Sequence, residues 1–171
     1  MHVLVSMSGL PGVGKSFIAR AVARNLRMCL LELDRIEEPL LRQGIRGDAL
    51  GWATYEALTA LAEQQLSNGV GVILDAVSWT NRLRREWADM AHHAGAPYRP
   101  IEVLCSDEQV WRKRVEQRHR EAPSNPTWDQ VQHARDTYWD PWGESDRLVL
   151  DTSNAESDQI SQAISYVLAV P

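Results

Sequence analysis

The chain has 171 residues, 44% apolar and 24% charged, and its 18 Lys and Arg against 23 Asp and Glu give a formal net charge of -5. That is the composition of one globular domain, long enough to bury its own core, and it excludes a disordered chain. The acidic balance argues against a protein living mainly by non-specific attachment to nucleic acid, although it leaves room for a local basic cleft.

The start, Met1-His2-Val3-Leu4-Val5-Ser6, carries no cationic leader region, and no stretch approaches the length of a bilayer span. Cys29 and Cys105 lie in apolar, strand-like surroundings, with neither metal-ligand spacing nor a disulfide framework. A reducing cytoplasm and no membrane partner are expected.

In chain order, His2 to Ser8 reads as a buried strand, followed by the glycine-rich stretch 9–16 and a helix over 16–27 with Ile18, Val22 and Leu26 on one stripe. A second apolar run, 28–33, ends at Asp34-Arg35. A short helix over 35–43 then gives way to a loop at Gly44 and Gly47. Asp48 is the expected cap of a long helix over 49–67, which Asn68-Gly69 closes. Val70 to Leu74 forms another buried strand ending at Asp75, and a helix runs from Thr80 to His93. Pro100 shortens the next strand, 98–104, so that its ordered part starts near Ile101.

Ser106 with Gln109, and Thr127 with Gln130, are capping-box spacings that open helices ending near Glu121 and Tyr138. Pro123 and Pro126 separate them. An aromatic loop, 138–143, precedes a short strand from Arg147 to Leu150, and Ser153 with Glu156 caps a last helix. Strands and helices alternate throughout, with five strand candidates and no linker. This is the pattern of a single three-layer α/β domain with a parallel sheet.

The stretch Gly9-Leu10-Pro11-Gly12-Val13-Gly14-Lys15-Ser16 has the form GxxxxGK[ST] between a strand and a helix. Its glycines permit a tight curl, so that backbone N–H groups through Gly12, Val13, Gly14, Lys15, Ser16 and Phe17 can point at a phosphate. Lys15 supplies a cation for the outer phosphates, and the Ser16 hydroxyl can enter the shell of Mg2+. A plain glycine-rich turn with an exposed Lys15 would not require the full motif in this context.

Ligands collect at the carboxyl ends of parallel strands, and Asp34 and Asp75 both fall there. Either can serve a metal or accept a proton, or simply begin a loop. Asp75, closing the run Val72-Ile73-Leu74, is expected near Ser16 and its Mg2+; Asp34 is expected to act as general base on an acceptor hydroxyl. Arg114 and Arg118 share a helical face in a cationic cluster, which reads either as a solvated face or as a lid over about 112–128 closing on the phosphates. One of Arg82, Arg84 and Arg85 would suit an anionic acceptor, or all three are solvated, while Trp52, Tyr55, Trp79 and the aromatics at 138–142 would suit an apolar or planar one.

These segments resemble the small P-loop kinases of the AAA-33 or zeta-toxin-like group, which includes chloramphenicol phosphotransferase and the 5'-kinase domain of polynucleotide kinases. GLPGVGKS matches the phosphate loop, LELDRI the segment carrying the general base, VILDAVSWTNRLRREW the third strand and its arginine-bearing helix, and RVEQR the lid. The resemblance implies a P-loop kinase fold with strand order 2-3-1-4-5, use of ATP and Mg2+, and phosphorylation of a hydroxyl. It assigns catalysis to Lys15, Asp34, Arg114 and Arg118, and metal binding to Ser16 and Asp75. A hydroxyl-bearing small molecule, such as an antibiotic or another metabolite, is the expected acceptor. A polynucleotide 5'-hydroxyl kinase and a non-catalytic nucleotide-binding regulator are the rival readings. The oligomeric state is not legible in the chain.

Overall fold

The structure is a computed structural model that describes residues 1–143, 147–153 and 156–169. The elements are β1 (Leu4–Ser8), α1 (Lys15–Leu26), β2 (Cys29–Glu32), α2 (Leu33–Arg42), α3 (Asp48–Ser67), β3 (Val72–Asp75), α4 (Asn81–His93), β4 (Tyr98–Leu104), α5 (Glu108–Glu121), α6 (Trp128–Tyr138), β5 (Leu148–Asp151) and α7 (Glu156–Leu168). The strands form one five-stranded sheet in the order β2-β3-β1-β4-β5, with every neighbouring pair parallel. This is the three-layer α/β fold of P-loop kinases, with the expected strand order.

The layers follow from the period of two along each strand. Val3, Val5 and Met7 pack on one side of the sheet with Ile18 and Val22 of α1 and Val167 of α7. Leu4 lies on the other side, with Leu58, Ala62 and Leu66 of α3 and Trp87 of α4. Trp87 is fully buried and donates from Nε1 to Thr59 Oγ1 at 3.0 Å. Truncating such a residue to alanine costs about 3–5 kcal/mol. Because β1 is central, the loop after it opens at the middle of the carboxyl edge, where the strand order reverses.

Several boundaries differ from expectation for local reasons. β4 is regular from Tyr98, with Pro100 beside Ser6 of β1. The Pro97 carbonyl accepts from Leu4 N, so the alternation of the strand turns Pro100 away from β1, toward a side where β5 pairs only from Ile101. The missing N–H therefore interrupts no ladder bond. The second helix begins at Leu33, directly after β2, and continues through Pro39. The cap of α5 is Asp107 and not Ser106: its carboxylate accepts from the backbone of Gln109 and Val110. The capping box at Thr127 and Gln130 forms in full. The helix α3 starts with Gly47, not Asp48, at its cap position; the proposed Glu156 cap lies outside the described side chains. Among the described residues no helix is long and apolar enough to cross a membrane.

Candidate active site

Gly9 has φ +135°, and a Cβ there would sit 2.2 Å from the Val103 carbonyl oxygen of β4, so the loop needs glycine twice over. Gly14, at φ +101°, occupies the cap position of α1 without offering a side chain to it, and the first turn carries no acid. The helix thus presents uncapped N–H groups and the positive end of its dipole to whatever lies before it. That space is a cavity of about 420 Å³ bordered by Gly12, Lys15, Ser16, Phe17 and, across from them, Arg118.

Lys15 is only 8% exposed, and its Nζ donates to the Leu10 carbonyl at 3.1 Å. Burial lowers its pKa to about 8; Asp75 and Asp34 oppose that shift and Arg118 adds to it. All three groups therefore act on one ammonium. Asp75 is buried, and burial raises its pKa, while Lys15 and the Ser16 hydroxyl pull it back down and Glu32 and Asp34 push it further up. Asp34 stands in the first turn of α2, exposed, and borders both the main cavity and a smaller one of about 120 Å³ that it shares with Lys15, Ser16, Asp75 and Arg118. The fold brings together Lys15, Ser16, Asp34, Asp75 and Arg118. Among the described residues no three His, Cys, Asp or Glu cluster as a metal site.

The helix α5 is fastened to the phosphate loop at its near end. Trp111 Nε1 donates to the Pro11 carbonyl at 2.8 Å, and a Cβ on Gly12 would lie 2.5 Å from Val115 Cγ2. Arg114 is turned to the end of β5, donating to Thr152 Oγ1 at 2.8 Å and to the Thr152 carbonyl at 3.0 Å. Arg118, one turn on, is exposed at the cavity. Beyond it the loop folds back through His119 Nδ1 to the Asn125 carbonyl at 2.7 Å and Asn125 Nδ2 to the Arg118 carbonyl at 3.1 Å.

Trp52, Tyr55 and Trp79 do meet, around a second cavity of about 540 Å³ that Leu83 and Tyr138 complete. The expected anion-binding arginines do not join them. Arg82 and Arg85 are exposed, border neither cavity, and Arg82 pairs with Glu86 at 2.8 Å. The buried one is Arg84, which the sequence places beside Arg82 and Arg85 without singling it out. It donates to the carbonyls of Ser78 at 3.0 Å and Asp140 at 2.9 Å, with its guanidinium 4.9 Å from the ring centre of Trp139 and 4.3 Å from that of Trp142. Two sequence signals pointed there. Arg84 lies one turn before Trp87 on the buried face of α4, and the tryptophan-rich loop 139–142 is a natural guanidinium partner.

The AAA domain family, AAA_33, matches residues 4–141, and the chain belongs to it. No curated protein matches by sequence. Among solved structures, a candidate kinase from Chloroflexus aurantiacus J-10-fl superposes with a TM-score of 0.78 at 20% identity, covering 96% of each chain. The APS kinase CysC of Mycobacterium tuberculosis, solved with AMPPNP and APS, gives 0.74 at 18% identity over 98% of each chain. A gluconokinase from Sinorhizobium meliloti 1021 gives 0.69 at 18% identity, over 97% of this chain and 91% of that one. At such identities the likeness concerns the fold.

Proposed function

We propose that the protein is an ATP- and Mg2+-dependent phosphotransferase acting on a hydroxyl of a small molecule. The observation that carries this reading is the gathering of Lys15, Asp34, Asp75 and Arg118 around an uncapped helix N-terminus. The backbone from Gly9 to Phe17 receives the phosphates of ATP, and Lys15 leaves the Leu10 carbonyl to meet the outer ones. A buried carboxylate beside a hydroxyl suits a cation that keeps most of its shell from phosphate and water, so Ser16 and Asp75 fit Mg2+, which would neutralise charge on the phosphates. Asp34 accepts the proton of the attacking hydroxyl, and Arg118 offsets charge on the group in transfer.

In this reading the chain is one kinase domain with a lid within about 112–128, whose moving part lies beyond the anchors at Trp111, Arg114 and Val115. A small acceptor is favoured over a nucleic-acid end because the described residues around the second cavity carry no cationic side chain. The test is calorimetric titration with Mg2+-ATP, joined to transfer of labelled γ-phosphate across a panel of hydroxylated metabolites. ATP binding and a labelled product are expected. Failure of Mg2+-ATP to bind would refute the assignment.

A further inference from the structure

The second cavity has a chemistry of its own. At about 540 Å³ it falls within the usual size of a small-molecule site, and its walls come from α3, the segment after β3, α4 and α6. Trp52, Tyr55, Trp79 and Tyr138 supply aromatic surface and Leu83 aliphatic surface. None of the described residues around it is charged. Its Thr80 hydroxyl accepts from the backbone of Leu83 at 3.2 Å as the cap of α4, which leaves only its own O–H to donate. A polyol or sugar acid would meet few polar groups on these mostly apolar walls, and each hydroxyl left unpaired carries a desolvation cost. An anionic acceptor would need a cation, yet Arg82 and Arg85 stand outside the cavity and Arg84 is held by the Ser78 and Asp140 carbonyls.

The cavity also adjoins the phosphate site. Val77 borders the small cavity that holds Lys15, Asp34 and Asp75, and Trp79, two residues on, borders the aromatic one. Tyr55 joins the two from the other side. It lines the aromatic cavity, while burial and then the carboxylates of Glu37 and Asp34 raise the pKa of its hydroxyl, against the Val77 backbone and Trp79, which lower it.

The geometry points to a phosphoryl acceptor that is planar and largely apolar, with its hydroxyl at one end, lying between Trp52, Tyr55, Trp79 and Tyr138 with that hydroxyl toward Asp34. This deepens the kinase reading and rests on it. In the transfer the acceptor oxygen bonds to the γ-phosphorus, the bond from that phosphorus to the β,γ-bridging oxygen breaks with its electrons left on ADP, and the acceptor proton passes to the Asp34 carboxylate.

The experiment sets aromatic alcohols (4-nitrobenzyl alcohol, 2-naphthylmethanol and tryptophol) against D-gluconate and glycerol. Binding is read calorimetrically and transfer with labelled ATP, in the same preparations. At least one aromatic alcohol should bind and be phosphorylated, and the polar set should not. Trp52→Ala and Tyr138→Ala, each at a side chain 59% exposed, should raise the Kd of that alcohol tenfold or more with little change in melting temperature. Phosphorylation of a polar acceptor with no binding of any aromatic alcohol would overturn the proposal and leave the kinase reading standing. Aromatic binding unaffected by both substitutions would overturn the location. Absence of Mg2+-ATP binding would remove the kinase reading and the acceptor with it.

Discussion

Arg114 and Thr152 form a relay into the phosphate loop. The guanidinium donates to Thr152 Oγ1 at 2.8 Å, and that hydroxyl donates onward to the Val13 carbonyl at 2.7 Å. Thr152 is nearly fully buried, and its methyl lies under Gly14. Arg114, which borders the phosphate cavity with Arg118, thus also braces α5, the end of β5 and the loop.

The two arginines of α5 should therefore separate on substitution. Arg114→Ala or Thr152→Val should cost about 2 kcal/mol, a drop of roughly 4–8 °C in Tm, and weaken ATP binding through the loop. Arg118→Ala should leave Tm in place and lower kcat more than ATP affinity. Differential scanning fluorimetry with steady-state kinetics distinguishes the pair; an equal loss of Tm in both variants would contradict the assignment.

Lys15 makes the empty protein pH-sensitive. Its folded pKa, about 8, lies below the ordinary 10.5, so between those values the unfolded chain binds more protons than the folded one. Stability must then rise with pH across about 8 to 10.5, and the burden of holding the charge is full below pH 8. Its size is about 3 kcal/mol. Without ligand, Lys15→Met should raise Tm at pH 7 and flatten this rise, while abolishing transfer. Denaturant unfolding of both proteins at pH 7 and pH 10 measures the difference.

The two site carboxylates, Asp34 and Asp75, should separate as well. Asp34→Asn keeps size and hydrogen bonding but removes a proton acceptor, so turnover should fall roughly 100-fold with Mg2+-ATP still bound. Asp75→Asn should instead raise the Mg2+ concentration needed for activity. Kinetic Mg2+ titrations of both variants decide it, and a shifted Mg2+ requirement in the Asp34 variant would exchange the roles.

Arg84 braces the aromatic loop. Arg84→Met retains the stem but strands the Ser78 and Asp140 carbonyls and removes the cation from Trp139 and Trp142. A loss of about 3 kcal/mol and a red shift of tryptophan emission are expected. Arg84→Lys should not restore the wild-type behaviour, since an ammonium lacks the planar fork.

The phosphate loop, the five strands and Asp75 at the end of β3 were legible because each rests on local chemistry: a glycine pattern, an apolar run, a carboxylate closing that run. Asp34, expected to close the second strand, stands instead in the first turn of α2. The aromatic residues at 52, 55 and 79 were recognisable as a set, but their meeting depended on α3 and α4 packing on the same side of the sheet.

What tertiary structure alone decided are choices between neighbours in the chain. Ser106 has the spacing of a helix cap, yet its N–H goes to Asp151 Oδ1 at 3.0 Å and its hydroxyl to Ser153 at 3.0 Å, so the cap passes to Asp107. Among Arg82, Arg84 and Arg85, the side of α4 that packs inward selected Arg84, and a loop more than 50 residues away completed its partners. Arg114 and Arg118 are equivalent by helical period, but only Arg114 lies over the end of β5. The residues of each pattern are written in the chain; their partners come from distant segments, which only the packed sheet brings within hydrogen-bonding distance.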